Sequence, residues 1–351
     1  MSIKLGFVRA DTHAYYFGAM MNKFDPLKMQ KYNYVCHLYA TSIYSPEDVT
    51  FPHIDGFEIT HVYDKNLKEA EKFSEVFMDK PKVCKELTDM IGEVDAVFVA
   101  DCDGCGIDHL EFSKPFLEKG ITTYVDKPFA LTLKDAQEIV RLSKKNNALL
   151  FNASILSYVP AAACFKRRFD ELKTTYYPIA AKVPGDAVGL GIVKGVGGAF
   201  SQELAGRAVA GGLEDRMAYI VHGFSLALNL YGTDVEYVES MGSLPLEYVH
   251  MHLKCGREVV IMNTSTDIFP ETCSFFASAY GKFGAIHSDH IGDPEFIGGG
   301  LEIIRQFKTI IDSGRQLIAT EEFIRPIALI EAASVAHYER KRIKISDIWP
   351  N

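Results

Sequence analysis

Gly120-Ile-Thr-Thr-Tyr-Val125-Asp126-Lys127-Pro128-Phe-Ala-Leu-Thr132-Leu-Lys-Asp135 reads as a short apolar strand, a polar turn and a capped helix start. Thr132 and Asp135 stand at capping-box spacing, and Ala136, Ile139, Val140 and Leu142 then recur near the helical period. Upstream, a helical pattern runs from about Ile107 to Lys119 and stops at Gly120, a natural C-terminal signal. Working outward, the strands are expected at Leu5–Val8, Glu58–Val62, Ala96–Ala100, Thr122–Val125 and Ala148–Phe151. Short apolar runs alternating with helical patterns predict a parallel sheet covered by helices.

The chain has 351 residues, 48% of them hydrophobic, with a formal net charge of −9. That length exceeds a single core, so two domains are expected, 1–153 and 154–351. An acidic chain without a basic block excludes a nucleic-acid binder, and Glu339-Arg-Lys-Arg342 is short enough to be a solvated helix end. Seven cysteines spread along the chain fit reduced thiols. Cys102 and Cys105 form a lone C-x-x-C without the second ligand pair that a metal would need. With no leader-like segment and no apolar stretch long enough for a bilayer, a cytoplasmic protein without a membrane partner is expected.

From about residue 176 the pattern changes. Tyr248, His250 and His252 alternate with Val249, Met251 and Leu253, so the two sets face opposite sides of one strand. Cys255-Gly256-Arg257 turns the chain into Val259–Met262, and a second hairpin is expected around Gly281–Gly284. Helical patterns follow at Leu301–Asp312 and Glu321–Lys341. This half reads as an α+β domain with a large, mostly antiparallel sheet. The glycine-rich Gly189–Gly198 has no surrounding βαβ unit, so it reads as a mobile loop and not a phosphate cradle. His250 and His252 share a face, but no third metal ligand is evident. The connection Cys36–His53 is longer than the common loop of about 2–6 residues, which fits a functional loop or a surface excursion.

Asp126-Lys127-Pro128 falls at the carboxyl end of a strand, where open α/β sheets bind ligands. A lysine there can stabilise charge on a reacting oxygen; an exposed strand-end lysine before a turn proline is the plainer alternative. Near the N-terminus, Lys4-Leu-Gly-Phe-Val-Arg9-Ala-Asp11-Thr12-His13-Ala14 passes from strand to helix without the glycines of a dinucleotide fingerprint. Asp11 or Thr12 is instead a good N-cap.

The run Val94–His109 followed by Gly120–Thr132 resembles the glucose-fructose oxidoreductase / inositol dehydrogenase (Gfo/Idh/MocA) family, with Asp126-Lys127-Pro128 at its Glu-Lys-Pro position. His222-Gly-Phe-Ser225 with Gly232 resembles the family's catalytic-histidine helix. Phe307–Gly314, Thr320-Glu-Glu-Phe and Ala332-Ala-Ser334 resemble its closing helices. The resemblance implies a Rossmann-type first domain, a homodimer or homotetramer, and NAD(P)-dependent oxidation or reduction of a sugar, cyclitol or glycoside hydroxyl. It implies Lys127 and His222 as the catalytic pair, one taking the proton and the other holding the oxygen. A neutral histidine is the better base near neutrality, because free lysine titrates near ~10.4. Asp64 matches the acidic residue for the adenosine ribose, favouring NAD over NADP. Asp101, Asp103, His109, Asp126 and Lys127 are expected along the same cofactor cleft, and Tyr158, Asp215 and Ser225 at the substrate.

Three departures qualify that picture. Ser225 replaces an aspartate on the histidine helix, and Ala218 replaces another, with Asp215 or Glu214 nearby as substitutes. The fingerprint glycines fall on Arg9, Asp11 and Ala14, of which only Ala14 is a permitted small residue, with His13 in the same expected cofactor turn. A carboxylate at Asp11 would repel a pyrophosphate by about 1–4 kcal/mol, with Arg9, Thr12 and the helix start left to hold it. Glycoside cleavage by transient oxidation and elimination, and a redox-silent sugar-binding protein, are the rival readings. No bound metal is expected.

Overall fold

The computed structural model describes residues 2–36, 52–101, 106–173, 188–196, 214–243, 246–264, 275–281 and 284–350. The long connection between Cys36 and His53 falls almost wholly outside these, as do Asp103, Cys102 and Cys105.

The first part runs β1 (Ile3–Val8), α1 (Thr12–Ala19), α2 (Pro26–Tyr32), β2 (Phe57–Tyr63), α3 (Leu67–Val76), β3 (Lys82–Val83), β4 (Ala96–Val99), α4 (His109–Leu117), β5 (Thr122–Val125), α5 (Leu133–Asn146) and β6 (Leu150–Phe151). The second continues with α6 (Pro160–Arg167), β7 (Val188–Val196), α7 (Glu214–Tyr231), β8 (Val235–Ser243), β9 (Leu246–Leu253), β10 (Glu258–Thr264), β11 (Phe276–Gly281), β12 (Gly284–His287), α8 (Asp293–Ser313), α9 (Glu321–Glu339), β13 (Ile343–Lys344) and α10 (Ile345–Ile348). Two compact units result: Met1–Ala153 with Gly300–Ile324, and Ser154–Gly299 with Arg325–Asn351. The sequence division at 153/154 assigned all later residues to one domain; here 300–324 returns to the first unit. Phe307 explains that return, packing edge-on against Phe98 and Tyr124 of the first sheet.

The first unit carries a six-stranded parallel sheet ordered β3-β2-β1-β4-β5-β6, the doubly wound Rossmann order. The central strand β4 is apolar and buried on both faces, as a strand covered by helices on both sides must be. On one face Phe98 stacks between Phe7 and Tyr124, with centroids 5.2 and 4.0 Å away. On the other, Val97 and Val99 pack with Phe112 and Phe116 of α4. Thr132 caps α5: its Oγ1 accepts from the Asp135 amide and donates to the Asp135 carboxylate. The two-residue β3 had no periodic signal to announce it.

The second unit carries a seven-stranded sheet ordered β12-β11-β7-β10-β9-β8-β13, antiparallel except for the β7–β10 pair. Residues of β9 and β10 alternate between buried and half-buried, as their sequence predicts. Gly189–Val196, read above as part of a mobile loop, is instead most of strand β7, hydrogen-bonded between β10 and β11. The glycine has a packing cause: a Cβ on Gly191 would stand 2.6 Å from the Tyr231 ring of α7. Likewise α8 begins at Asp293, ahead of the expected Leu301. Gly298 and Gly299 concealed its first turns, yet they admit Pro160 and the Ile155 backbone, which a Cβ would meet at 2.9 and 2.5 Å.

Candidate functional site

The carboxyl ends of β1, β2, β4 and β5 gather most of the first unit's candidates. β1 hands over to Arg9, which takes φ +72°, the left-handed conformation that a fingerprint glycine ordinarily supplies. Such a backbone costs roughly 1–3 kcal/mol in a non-glycine residue. Ionic contacts offset it: Arg9 Nε lies 3.4 Å from Asp101 Oδ1 and 3.8 Å from Asp64 Oδ2. Asp64 also accepts from the Ala10 amide at 2.9 Å and the Asn66 amide at 2.7 Å. One carboxylate therefore ties the β1 turn to the β2 turn.

Asp11 is the N-cap of α1, and its Oδ1 accepts from the His13 and Ala14 amides at 3.0 and 3.4 Å. Thr12 Oγ1 accepts from Asn33. The first-turn donors that would face an anion are thus turned toward the chain's own carboxylate. His13 reaches the other way, its Nδ1 bonded to Asp126 Oδ2. Asp126 is only 1% exposed. Its second oxygen accepts from the Tyr124 hydroxyl at 3.1 Å and the Lys127 amide at 2.7 Å. Burial pushes the Asp126 carboxyl up, but the charge and bond of His13, with the Lys127 ammonium and amide, hold it below the usual carboxylate range.

Lys127 follows, largely buried, ahead of a cis Lys127–Pro128 bond. Asn152 donates to the Val125 and Asp126 carbonyls at 2.8 and 3.0 Å, fixing the backbone on either side of the turn's start. Gly106, at φ +79°, lies beneath the turn, and a Cβ there would meet Pro128 O at 2.7 Å. His109, expected to line the cofactor cleft, is fully buried. Its ring nitrogens face the Asp101 and Phe129 carbonyls at 3.2 and 3.3 Å, so it staples the ends of β4 and β5 together.

In the second unit, His222 lies on α7 with 7% of its surface exposed. Its Nδ1 is 2.7 Å from Ser154 Oγ, which also accepts from the Leu156 amide at 3.2 Å. Phe275 meets the imidazole edge-on. Ser225, three residues on, is buried on the same helix. Tyr158 ends the turn Ile155–Ser157, and Asp215 belongs to the first turn of α7. Ser154, Tyr124 and Asn152 were not singled out in the sequence; Asn152, a polar residue just past a buried strand, carried the one usable signal.

On the second sheet, His250 and His252 share Glu258 at 2.6 and 2.8 Å, and His250 also meets Glu239 at 3.0 Å. Among the described residues no group of three or more His, Cys, Asp or Glu side chains is arranged to hold a metal ion. None of the described helices is long and apolar enough to cross a membrane.

The donor set at the first sheet's edge fits a dinucleotide at its ribose end, where Asp64 offers carboxylate oxygens at the close of β2. The β1–α1 turn carries the side chains of Arg9, Asp11 and His13 in place of a glycine-rich loop.

Residues 41–154 match the model of an oxidoreductase family with an NAD-binding Rossmann fold. No curated protein sequence matches the chain. Among solved structures, scyllo-inositol dehydrogenase from Lactobacillus casei, with bound NAD(H) and scyllo-inositol, aligns over 99% of this chain and 100% of its own. It does so at 14% identity with a TM-score of 0.68. A myo-inositol dehydrogenase from Corynebacterium glutamicum aligns at 12% identity over 98% and 99%, TM-score 0.68. An oxidoreductase from Thermotoga maritima aligns at 16% identity over 99% and 100%, TM-score 0.66. At these identities the likeness is one of fold.

Proposed function

We infer, from the match of residues 41–154 to the Gfo/Idh/MocA oxidoreductase family model, that this chain is an NAD-dependent dehydrogenase of a ring hydroxyl. Its substrate class is a cyclitol, sugar or glycoside. The observation that carries this reading is the placing of Lys127 and Asp64 at the same carboxyl edge of a 3-2-1-4-5-6 parallel sheet, where α/β folds bind dinucleotides. The cyclitol substrate and NAD(H) of the Lactobacillus casei neighbour point the same way.

NAD, when bound, supplies the hydride acceptor. Asp64 and Arg9 would hold its adenosine side, and His13 would serve at the turn that lacks the fingerprint glycines. Oxidation of a secondary alcohol also releases the hydroxyl proton. We assign that proton to His222 Nε2, because Nδ1 is committed to Ser154. Lys127 is assigned as an ammonium donor to the reacting oxygen, stabilising the negative charge that develops there as the O–H proton leaves. Its place beside the fixed Asp126 backbone limits the lysine's freedom at the root of the side chain.

The experiment is to incubate the purified chain with NAD and a panel of inositols, hexoses and glycosides while following NADH formation. Turnover on at least one, abolished in Lys127→Ala, is the expected result. Absence of NADH binding and of turnover would remove the reading. Product mass analysis separates simple oxidation from oxidation followed by elimination, which yields a cleaved glycoside and no net NADH.

A further inference from the structure

We propose that His13 is a cofactor-positioning residue that binds the dinucleotide as an imidazolium, so that NADH binding takes up a proton. This rests on the dehydrogenase reading above and adds to it a protonation step at His13 that the reading does not require.

Three observations lead there. First, the Asp11 carboxylate accepts from the His13 and Ala14 amides, so the first turn of α1 does not offer those donors to an anion. Second, His13 Nδ1 is committed to the buried Asp126 carboxylate, while its Nε2 has no hydrogen-bond partner among the described residues. The side chain is 26% exposed, against 1% for the carboxylate it holds. The imidazole therefore has one edge fixed and the other open. Third, among the described residues the ionisable groups around this sheet edge, apart from His13, include the cations Arg9, Lys65 and Lys127 against Asp11, Asp64, Asp101, Asp108, Glu111 and Asp126, with the phenol of Tyr124. The balance is negative where a pyrophosphate dianion must come.

The tautomer argument then fixes the proton. A neutral imidazole that donates from Nδ1 to Asp126 presents a lone pair at Nε2, which repels an ionised phosphate oxygen. Only the imidazolium donates from both nitrogens. Holding Asp126 and a pyrophosphate oxygen together requires the second proton. Binding and protonation are therefore linked, and NADH affinity must rise as pH falls through the range where histidine titrates. The proton comes from solvent, and the charge it adds meets the incoming anion.

The test is NADH titration by calorimetry from about pH 5.5 to about pH 8.5, in buffers of differing ionisation enthalpy. Wild-type protein should take up close to one proton on binding at the alkaline end. Its affinity should fall with rising pH, approaching about tenfold per unit. His13→Gln keeps a hydrogen-bonding side chain that cannot become a cation. It should bind NADH more weakly at low pH, with uptake near zero and a flattened pH profile. Wild-type binding without proton uptake would overturn the proposal while leaving the dehydrogenase reading intact, and so would unchanged uptake in His13→Gln. No NADH binding at any pH would overturn both.

Discussion

Ser154 Oγ lies 2.7 Å from Nδ1 of His222, giving the proposed base a neutral orienting partner where a carboxylate is the stronger choice. A hydroxyl can accept from Nδ1–H or donate to Nδ1, so it selects a tautomer less firmly than an aspartate would. The Leu156 amide, donating to Ser154 Oγ, occupies part of its accepting capacity. Ser154→Ala should therefore lower kcat about fivefold, the scale of one net hydrogen bond of roughly 1 kcal/mol, with a small change in KM. Ser154→Thr, keeping the hydroxyl, should recover most of the loss. Steady-state kinetics on the substrate found in the panel decide this.

Asp11 helps the fold and, on the proposed reading, opposes the cofactor. Its carboxylate caps α1, and it would bring negative charge to the site proposed for a dianion. Asparagine is as good an N-cap as aspartate and carries no charge. Asp11→Asn should leave the unfolding midpoint unchanged and tighten NADH binding about tenfold, within the range of about 1–4 kcal/mol for one charge removed at close approach. Fluorescence titration with NADH reads the effect; unchanged or weaker binding would show that the carboxylate does not face the phosphates.

What could be read in advance followed the range of the signals. The strand, turn and capped helix around Asp126 are written locally, as is the Asp11 cap, and both stand in the structure where the sequence put them. Strand β7 was misread because glycine scores against strands, and its partner Tyr231 lies 40 residues on. The same penalty hid the start of α8. The pairings that define the candidate site are long-range: His13 meets Asp126 across 113 residues and Ser154 meets His222 across 68. No periodicity reports such contacts. His109 shows the converse case, a residue singled out for the cofactor whose ring is spent on two carbonyls.

Gly106 predicts a coupling between stability and the Lys127 turn. Its φ of +79° disfavours any side chain, and an added Cβ would press on Pro128 O at 2.7 Å and Ala130 C at 2.9 Å. Both contacts are backbone and cannot swing away. Gly106→Ala should cost about 2–4 kcal/mol, as strain at special backbone positions does. The same displacement should reach Lys127, so NADH-forming activity should fall further than the folded fraction does. Denaturant unfolding and activity measured on the same preparation check both.

The His250–His252–Glu258 group on the second sheet predicts an acid-sensitive contribution to stability. Burial pushes the Glu258 carboxyl up, but bonds from His252 and His250 bring it below its ordinary value. Glu239 is lowered first by its bond from His250, with Arg342 adding to this. A carboxyl whose folded pKa is depressed stabilises the fold at pH values above its unfolded pKa, near ~4.3. That stability is lost as pH falls through the folded value. His250→Gln should therefore be less stable than wild type at neutral pH, and the two should converge below about pH 4. Both carboxylates are partly solvated, so the neutral-pH gap should be modest, the size of exposed ion pairs. Urea unfolding at neutral and acid pH measures it, and a gap that persisted unchanged into acid would assign the histidine's contribution to packing against Tyr237 instead of to charge.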